Sequence, residues 1–192
     1  MKTTPAPPAP RNAEGTRERL LAAARARFSR DTFENVGTRE IATDAGVDAA
    51  LVNRYFGGKE KLFAAAIEGA FRIEEHLPDR LDDLGEHLAG QIMDDADELE
   101  AGEPDSLRLL LRAAASPSTA ALVSARFHAE FVTPLARLLR GRDTELRAAM
   151  IASYVIGLAT MKHALGSPAL TGAARRKAVA RVGAAIQSCV DP

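Results

Sequence analysis

The sequence predicts an all-α protein, and three observations carry that prediction. Alanine occurs 38 times and leucine 21 times in 192 residues, against nine valines and seven isoleucines, a balance that favours helix over strand. Prolines and glycines fall mostly between the apolar periodic segments, where helices begin and end. No stretch alternates apolar and polar residues for long enough to predict a strand.

The N-terminal part of the chain predicts a tail followed by four helices. Residues 1–15 begin with four prolines in ten residues and are expected to form a disordered, Pro/Ala-rich tail without the apolar core of a signal peptide. Thr16 is expected to cap the first helix, and Leu77-Pro78 to end the fourth. The four helices are predicted at 16–30, 38–45, 48–56 and 59–76.

The rest of the chain predicts five further helices. Ser116, Asp143 and Thr171 are the expected N-caps of the last three, and Pro134 is expected to kink or split the helix that contains it. These helices are predicted at about 79–100, 105–115, 117–140, 143–165 and 171–190.

Composition limits the classes of function. Cys189 is the one cysteine, so the chain has neither an internal disulfide nor a Cys-rich zinc site, which favours a cytoplasmic protein. The longest uncharged run, 148–161, has 14 residues, too few for the roughly 20 that span a bilayer.

The net charge is −1, so any DNA binding must come from a local patch. Residues 1–72 hold 12 basic and 9 acidic side chains, a net +3, which leaves 13 basic and 17 acidic side chains, a net −4, for the remainder.

The segment 38–63, TREIATDAGVDAALVNRYFGGKEKLF, has the pattern of a helix-turn-helix. Ile41, Ala42 and Ala45 form the apolar face of one short helix, and Gly46 permits a tight turn. Asp48 is expected to cap the second helix, whose exposed side would enter a major groove. The turn tripeptide Ala-Gly-Val by itself favours a tight corner between two helices, which any helical protein can contain.

The residues after the turn resolve this ambiguity. Tyr55-Phe56 and Lys59-Glu60-Lys61-Leu62 follow at a fixed distance. Here the chain resembles the TetR family of transcriptional repressors, whose DNA-binding segment typically reads T-x-x-I-A-x-x-A-G-V, about seven residues, then Y-F-x-x-K-x-x-L. The match covers residues 16–62, and the remainder matches only in its helical layout.

The resemblance implies roles for individual residues toward DNA. Thr38 would offer its hydroxyl and the helix amides to a phosphate or act as an N-cap, and Arg39 would read guanine or be a surface arginine. Tyr55 and Lys59 match family phosphate contacts. Arg17 and Arg54 are further phosphate candidates.

The recognition helix departs from the family pattern. Ala49 and Ala50 stand where many relatives carry larger or polar residues, and alanine can only contact a thymine methyl or permit close approach. Asn53 replaces a frequent tyrosine and is suited to adenine. Specificity is therefore expected to depend on Arg39, Asn53 and DNA shape.

For residues 63–192 the resemblance implies a ligand-binding body and a homodimer formed by the last two helices. The uncharged run 148–161 fits a helix covered by a partner subunit, or equally one buried within a single chain. Candidate pocket residues are apolar side chains with three polar anchors: Leu88, Ile92, Met93, Leu110, Phe127, Phe131 and Tyr154, with His87, Arg112 and His128.

We therefore expect a TetR-like repressor that binds a palindromic operator as a homodimer and is released by a small, mainly apolar ligand. One alternative is an architectural DNA-binding dimer without a ligand. The other is a helical-bundle enzyme, which the sequence disfavours because it lacks Glu-x-x-His pairs, an HExxH motif and a glycine-rich phosphate loop. No cofactor, metal or catalytic residue is predicted.

Overall fold

The structure, a computed structural model, describes residues 10–94 and 106–191. Within these ranges all regular structure is helical, which confirms the predicted fold class. The α-helices are α1 (Pro10–Arg30), α2 (Thr38–Asp44), α3 (Ala50–Phe56), α4 (Lys59–Ala66), α5 (Leu84–Asp94), α6 (Ser106–Ala115), α7 (Ala120–Phe127), α8 (Thr133–Leu138), α9 (Thr144–Ala159) and α10 (Ala173–Val190).

Helices α1 to α4, called the head below, pack around one apolar cluster. Its centre is aromatic: the Phe63 ring lies edge-on to Phe28 at 4.9 Å and to Phe33 at 5.4 Å between ring centres. Leu20 and Ile41 are fully buried beside them. This packing holds the short α2 and α3, which are too short to be stable alone.

The cluster continues into α5 to α10, called the body. Leu109 of α6 and Val123 of α7 belong to the same cluster as the head residues. Ser116, after α6, donates a hydrogen bond of 2.6 Å from Oγ to the carboxylate of Glu34, and this bond is the main reason that the pKa of Glu34 is lowered. The proposed division between 62 and 63 lies inside α4, so the head shares its core with the body.

In the body, α5 and α10 run antiparallel in close contact. Near one end, a Cβ built on Gly85 would lie 2.1 Å from the carbonyl oxygen of Gly183, so the two backbones touch. At the other end, Arg175 pairs with Asp94. The buried Arg147 of α9 connects this pair to α9 by donating to the carbonyl oxygens of Cys189 at 2.7 Å and Val190 at 2.6 Å.

Two predicted helix ends in the head were wrong. The first helix begins at Pro10, because a proline is tolerated at the first helical position; Thr16 is therefore buried within the helix and is not its N-cap. The predicted tail 1–15 overlaps this helix, and its residues 1–9 lie outside the described residues. Helix α4 ends at Ala66 rather than at 76. The residues that follow form turns, in which the amides of Gly69 and Phe71 donate to the carboxylate of Glu130.

Two of the three predicted caps in the body were also wrong, and the third is confirmed in position only. Thr119, not Ser116, is the N-cap of α7, because Ser116 begins a tight turn and bonds to Glu34. Asp143 occupies the N-cap position of α9 but makes no side-chain capping bond. Gly172 is the N-cap of α10, while the Thr171 hydroxyl donates to the carbonyl of Pro168.

The predicted disruption at Pro134 is confirmed. A π-helical turn, His128–Val132, separates α7 from α8. The Thr133 N–H donates to the carbonyl of His128, five residues earlier, and Pro134 follows without an N–H to continue the α pattern. A second π turn, Thr160–Ala164, extends α9.

The predicted helix 79–100 begins only at Leu84, after a 3₁₀ turn at Leu81–Asp83, and its residues 95–100 lie outside the described residues.

Candidate nucleic-acid interface

Helices α2 and α3 form a helix-turn-helix whose angle depends on Gly46. Gly46 has φ 65°, in the left-handed region that glycine adopts without a Cβ penalty. The N–H of Val47 donates to the carbonyl of Ala42 at 2.9 Å, and that of Gly46 to Thr43 at 3.0 Å. This pair of bonds is a Schellman motif, which ends α2 and turns the chain toward α3.

Helix α3 buries one face and exposes the other. Val52 and Phe56 are buried against the head cluster, so the opposite face of the helix is free to contact a binding partner. Ala49, not the predicted Asp48, is the N-cap of α3, but Asp48 accepts a 2.7 Å hydrogen bond from the Ala50 N–H and so satisfies the first amide of the helix. Gly57, at φ 74°, ends the helix.

Charged side chains fix α2 against α1. Arg27 of α1 donates two hydrogen bonds to the Asp44 carboxylate, from Nε at 2.5 Å and from Nη2 at 2.9 Å. This contact is the main cause that lowers the pKa of Asp44. The Glu40 carboxylate accepts the Gly37 N–H at 2.9 Å, so Gly37, not Thr38, is the N-cap of α2.

Lys59, the first residue of α4, is held at a defined place on the surface. Its Nζ lies 4.4 Å from the centre of the Phe33 ring and donates to the carbonyl of Glu34 at 3.4 Å. A cation over an aromatic face is attracted by the ring quadrupole. The ammonium is thereby positioned between α4 and the α1–α2 loop while it remains partly exposed.

The predicted DNA-contacting residues all lie on the head, where some are exposed and the others are half-buried. Arg39, Ala50, Asn53 and Arg54 are exposed. The half-buried members include Arg17, whose guanidinium lies 5.4 Å from the centre of the Phe56 ring. The others are Thr38, Ala49, Tyr55 and Lys59.

Sequence reasoning missed the residues that orient α2. Arg27 and Asp44 are 17 residues apart, so no local spacing connects them. Glu40 had a readable signal, because a glutamate three residues after an N-cap is typical of a capping box. Between α1 and α2, Arg27, Glu40 and Asp44 line an open groove of about 800 Å³.

The predicted pocket residues do not form one group in the structure. Leu110 lies in the cluster shared with the head, Leu88 and Phe131 lie in a second cluster, and Met93, with Ile92 against it, lies in a third. Phe127 packs between the first two. Tyr154, Arg112 and His128 are exposed, and His87 is half-buried.

Two searches of the described residues bear on other kinds of site. Residues 10–94 and 106–191 hold no cluster of three or more His, Cys, Asp or Glu side chains arranged to bind a metal ion. No helix among them has the length and apolar character needed to cross a membrane.

An all-α fold with a helix-turn-helix head on a larger helical body defines a DNA-binding regulator. Two family models match: "Bacterial regulatory proteins, tetR family" over residues 20–66 and "Tetracyclin repressor-like, C-terminal domain" over residues 82–190. The chain belongs to the TetR family, a group of bacterial transcriptional regulators.

Solved structures agree with this assignment. A TetR-family regulator from Streptomyces coelicolor is 28% identical, with a TM-score of 0.60, and the alignment covers 98% of this chain and 100% of that one. A TetR-family transcriptional regulator from Rhodococcus sp. is 19% identical at a TM-score of 0.67, with 93% and 100% covered. NalD of Pseudomonas aeruginosa, the secondary repressor of the MexAB-OprM multidrug efflux pump, is 17% identical at 0.61, with 93% and 97% covered. Comparison with curated proteins returned no match.

Proposed function

We propose that the protein is a cytoplasmic repressor that binds a palindromic operator as a homodimer, without catalytic activity. The observation that carries the proposal is the exposed face of α3, which the Asp48 bond to the Ala50 N–H and the Gly46 turn hold outward beside Lys59. Recognition helices of this kind enter the major groove, and dimers place two of them about one helical turn apart.

A row of exposed apolar side chains on α9 supports the homodimer. Leu146, Met150 and Tyr154 recur every four residues on α9, and Met161 and Leu165 follow in the π turn and just after it. Each of the five is 37% exposed or more, and large exposed apolar side chains grouped along one element are typical of a subunit interface. We assign Tyr154 to this surface rather than to a ligand pocket.

We further propose that a small, mainly apolar ligand binds the body and releases the operator. The support is the aromatic group where α7 meets the chain after α4: Phe71 lies edge-on to Phe127 at 5.7 Å, and Phe127 stacks on Phe131 at 5.1 Å. Aromatic side chains suit apolar ligands, and this group lies at the junction of head and body. A thermal-shift screen of small molecules, followed by measurement of operator affinity with each compound that stabilises the protein, tests the proposed release by a ligand. A compound that stabilises the protein without changing operator affinity would contradict it.

A mobility-shift assay on the DNA flanking the gene tests the repressor. We expect one high-affinity palindromic site, and binding two or more orders of magnitude weaker to unrelated duplexes. Equal binding to all duplexes would instead favour an architectural DNA-binding dimer, since phosphate contacts alone carry no sequence information.

A further inference from the structure

The segment after α4 has a different structure from the one that its sequence predicts. Residues 59–76 predict one helix, but α4 ends at Ala66 and Gly69 takes φ 74°. In a continuous helix the Gly69 N–H would donate to the carbonyl of residue 65, and the Phe71 N–H to that of residue 67. In the structure both amides have a different acceptor.

That acceptor is the carboxylate of Glu130. Oε1 accepts the Gly69 N–H at 2.9 Å, and Oε2 accepts the Phe71 N–H at 3.1 Å. The Glu130 side chain is only 13% exposed, and Arg126, one turn earlier, pairs with it at 3.3 Å. Bonds from amides to a shielded carboxylate are among the stronger hydrogen bonds in proteins, so Glu130 replaces two helical carbonyls.

Glu130 is placed to respond to changes in the body. It lies in the π turn His128–Val132, next to Phe131. Phe127, just before the turn, contacts both Phe71 and Phe131. A rearrangement of this turn therefore changes the carboxylate contact and the aromatic contact to the chain after α4 together.

We propose that Glu130 sets the length of α4 and that the body controls the head through this contact, an inference that rests on the DNA-binding role proposed above. While Glu130 holds the two amides, residues 67–72 stay unwound. When the carboxylate leaves, α4 extends toward residue 76, as the sequence favours.

Extension would loosen the head. The carbonyl of Ala66 accepts a 3.0 Å hydrogen bond from Nε of Arg25, which ties α1 to the end of α4. In a longer helix the same carbonyl would accept the N–H of residue 70, which now donates to Ile67. A carbonyl oxygen can accept two hydrogen bonds, but in a continuous helix the Ala66 carbonyl would be aligned with the helix axis and turned toward the N–H of residue 70. We expect the bond from Arg25 to weaken with this change of direction, so that α1 is held less firmly and the recognition helix is less well positioned.

Backbone chemical shifts and operator affinity test the proposal together. Glu130→Ala removes the acceptor, and Gly69→Ala favours the helix independently, because an alanine is strained at the φ of 74° that Gly69 takes in the turn and is the better helix former. In both variants we expect helical Cα shifts for residues 67–72 and an operator affinity at least about 5-fold weaker. Glu86→Ala, an exposed glutamate on α5, is the control and should leave both unchanged.

Glu130→Gln is the second variant, in case Glu130→Ala does not fold, because glutamine keeps the shape of the side chain and one carbonyl acceptor. We expect its chemical shifts and operator affinity to lie between those of the wild type and of Glu130→Ala. A folded Glu130→Ala protein with non-helical shifts at 67–72 would overturn the switch. Helical shifts with wild-type affinity would overturn its control of the head. If the wild-type protein binds no operator at all, the proposed function fails, and the shifts still decide whether Glu130 sets the length of α4.

Discussion

At the scale of single residues, Lys59 is the side chain whose role in DNA binding is easiest to isolate. Its ammonium is positioned by the Phe33 ring and the Glu34 carbonyl, which suits a contact to phosphate rather than to bases. We expect Lys59→Ala to weaken binding equally for all duplexes and to lower the slope of log affinity against log salt by about one unit. Lys61→Ala, an exposed lysine on the same helix, should change the slope less. Equal slopes for wild type and Lys59→Ala would show that Lys59 contacts no phosphate.

Arg39 should behave differently in kind. It is exposed on the second position of α2, and a guanidinium can pair with guanine in two bonds. We expect Arg39→Ala to lose about 1–3 kcal/mol of discrimination at one base position. Titrations with a panel of single-base operator variants measure this loss. A uniform loss over the whole panel would instead assign Arg39 to the phosphate backbone.

Arg147 should matter for stability rather than for DNA. Its buried guanidinium donates to four carbonyl oxygens, two at the end of α10 and two in the loop before α9, those of Arg140 and Arg142. Arg147→Met keeps an apolar stem but leaves these carbonyls without their donor, so we expect a loss of about 2–4 kcal/mol in the free energy of unfolding. Urea unfolding measures this loss, with the exposed Arg142 changed to Met as control. Similar values for the two variants would contradict the structural role.

At the scale of elements, the contact between α5 and α10 depends on two glycines. The Cβ of an alanine at 85 would meet the backbone of Gly183 at 2.1 Å, and neither backbone can move without separating the helices. We expect Gly85→Ala to destabilise the protein by about 1–3 kcal/mol. Gly90→Ala lies on the same helix with nothing within 4 Å of its Cβ and should be neutral or stabilising by up to about 1 kcal/mol. Thermal unfolding of the Gly85→Ala and Gly90→Ala variants measures the difference in stability. Equal stability of the two variants would show that α5 and α10 lie further apart than in the structure.

The other elements show how local and distant effects divide. Pro134 disrupts its helix because it has no N–H, a local cause that any structure would share. The early end of α4 has a local and a distant cause: Gly69 takes a left-handed φ of 74°, and the acceptor of the amides at 69 and 71 is Glu130, about 60 residues away. Only the local causes could be predicted from neighbouring residues.

At the scale of the whole molecule, the exposed row on α9 should decide the oligomeric state. Met150 is 41% exposed at the middle of the row. We expect Met150→Glu to produce monomers, because a charge would be buried in an apolar interface, and to weaken operator binding because each monomer engages one half-site. Light scattering gives the mass, and Glu145→Gln, an exposed residue on the first turn of the same helix, is the control. A Met150→Glu dimer with full operator affinity would place the interface elsewhere.

The sequence by itself determined the fold class and the helix-turn-helix. Both depend on local chemistry: an alanine- and leucine-rich composition favours helix, Gly46 permits the left-handed turn, and Asp48 accepts the N–H of Ala50, two positions away, at the start of α3. The motif around Tyr55 and Lys59 also lies within one short segment, so the DNA-facing residues could be proposed before the structure.

Only the tertiary structure decided how α2 is held within the head and how head and body are joined. The Arg27–Asp44 pair, the Ser116–Glu34 bond and the Glu130 contact to residues 69 and 71 connect positions from 17 to 82 residues apart. The apolar residues proposed for one pocket were distributed over three clusters for the same reason. Periodicity predicts which face of a helix is buried, but the partner of that face is chosen by packing among all the helices.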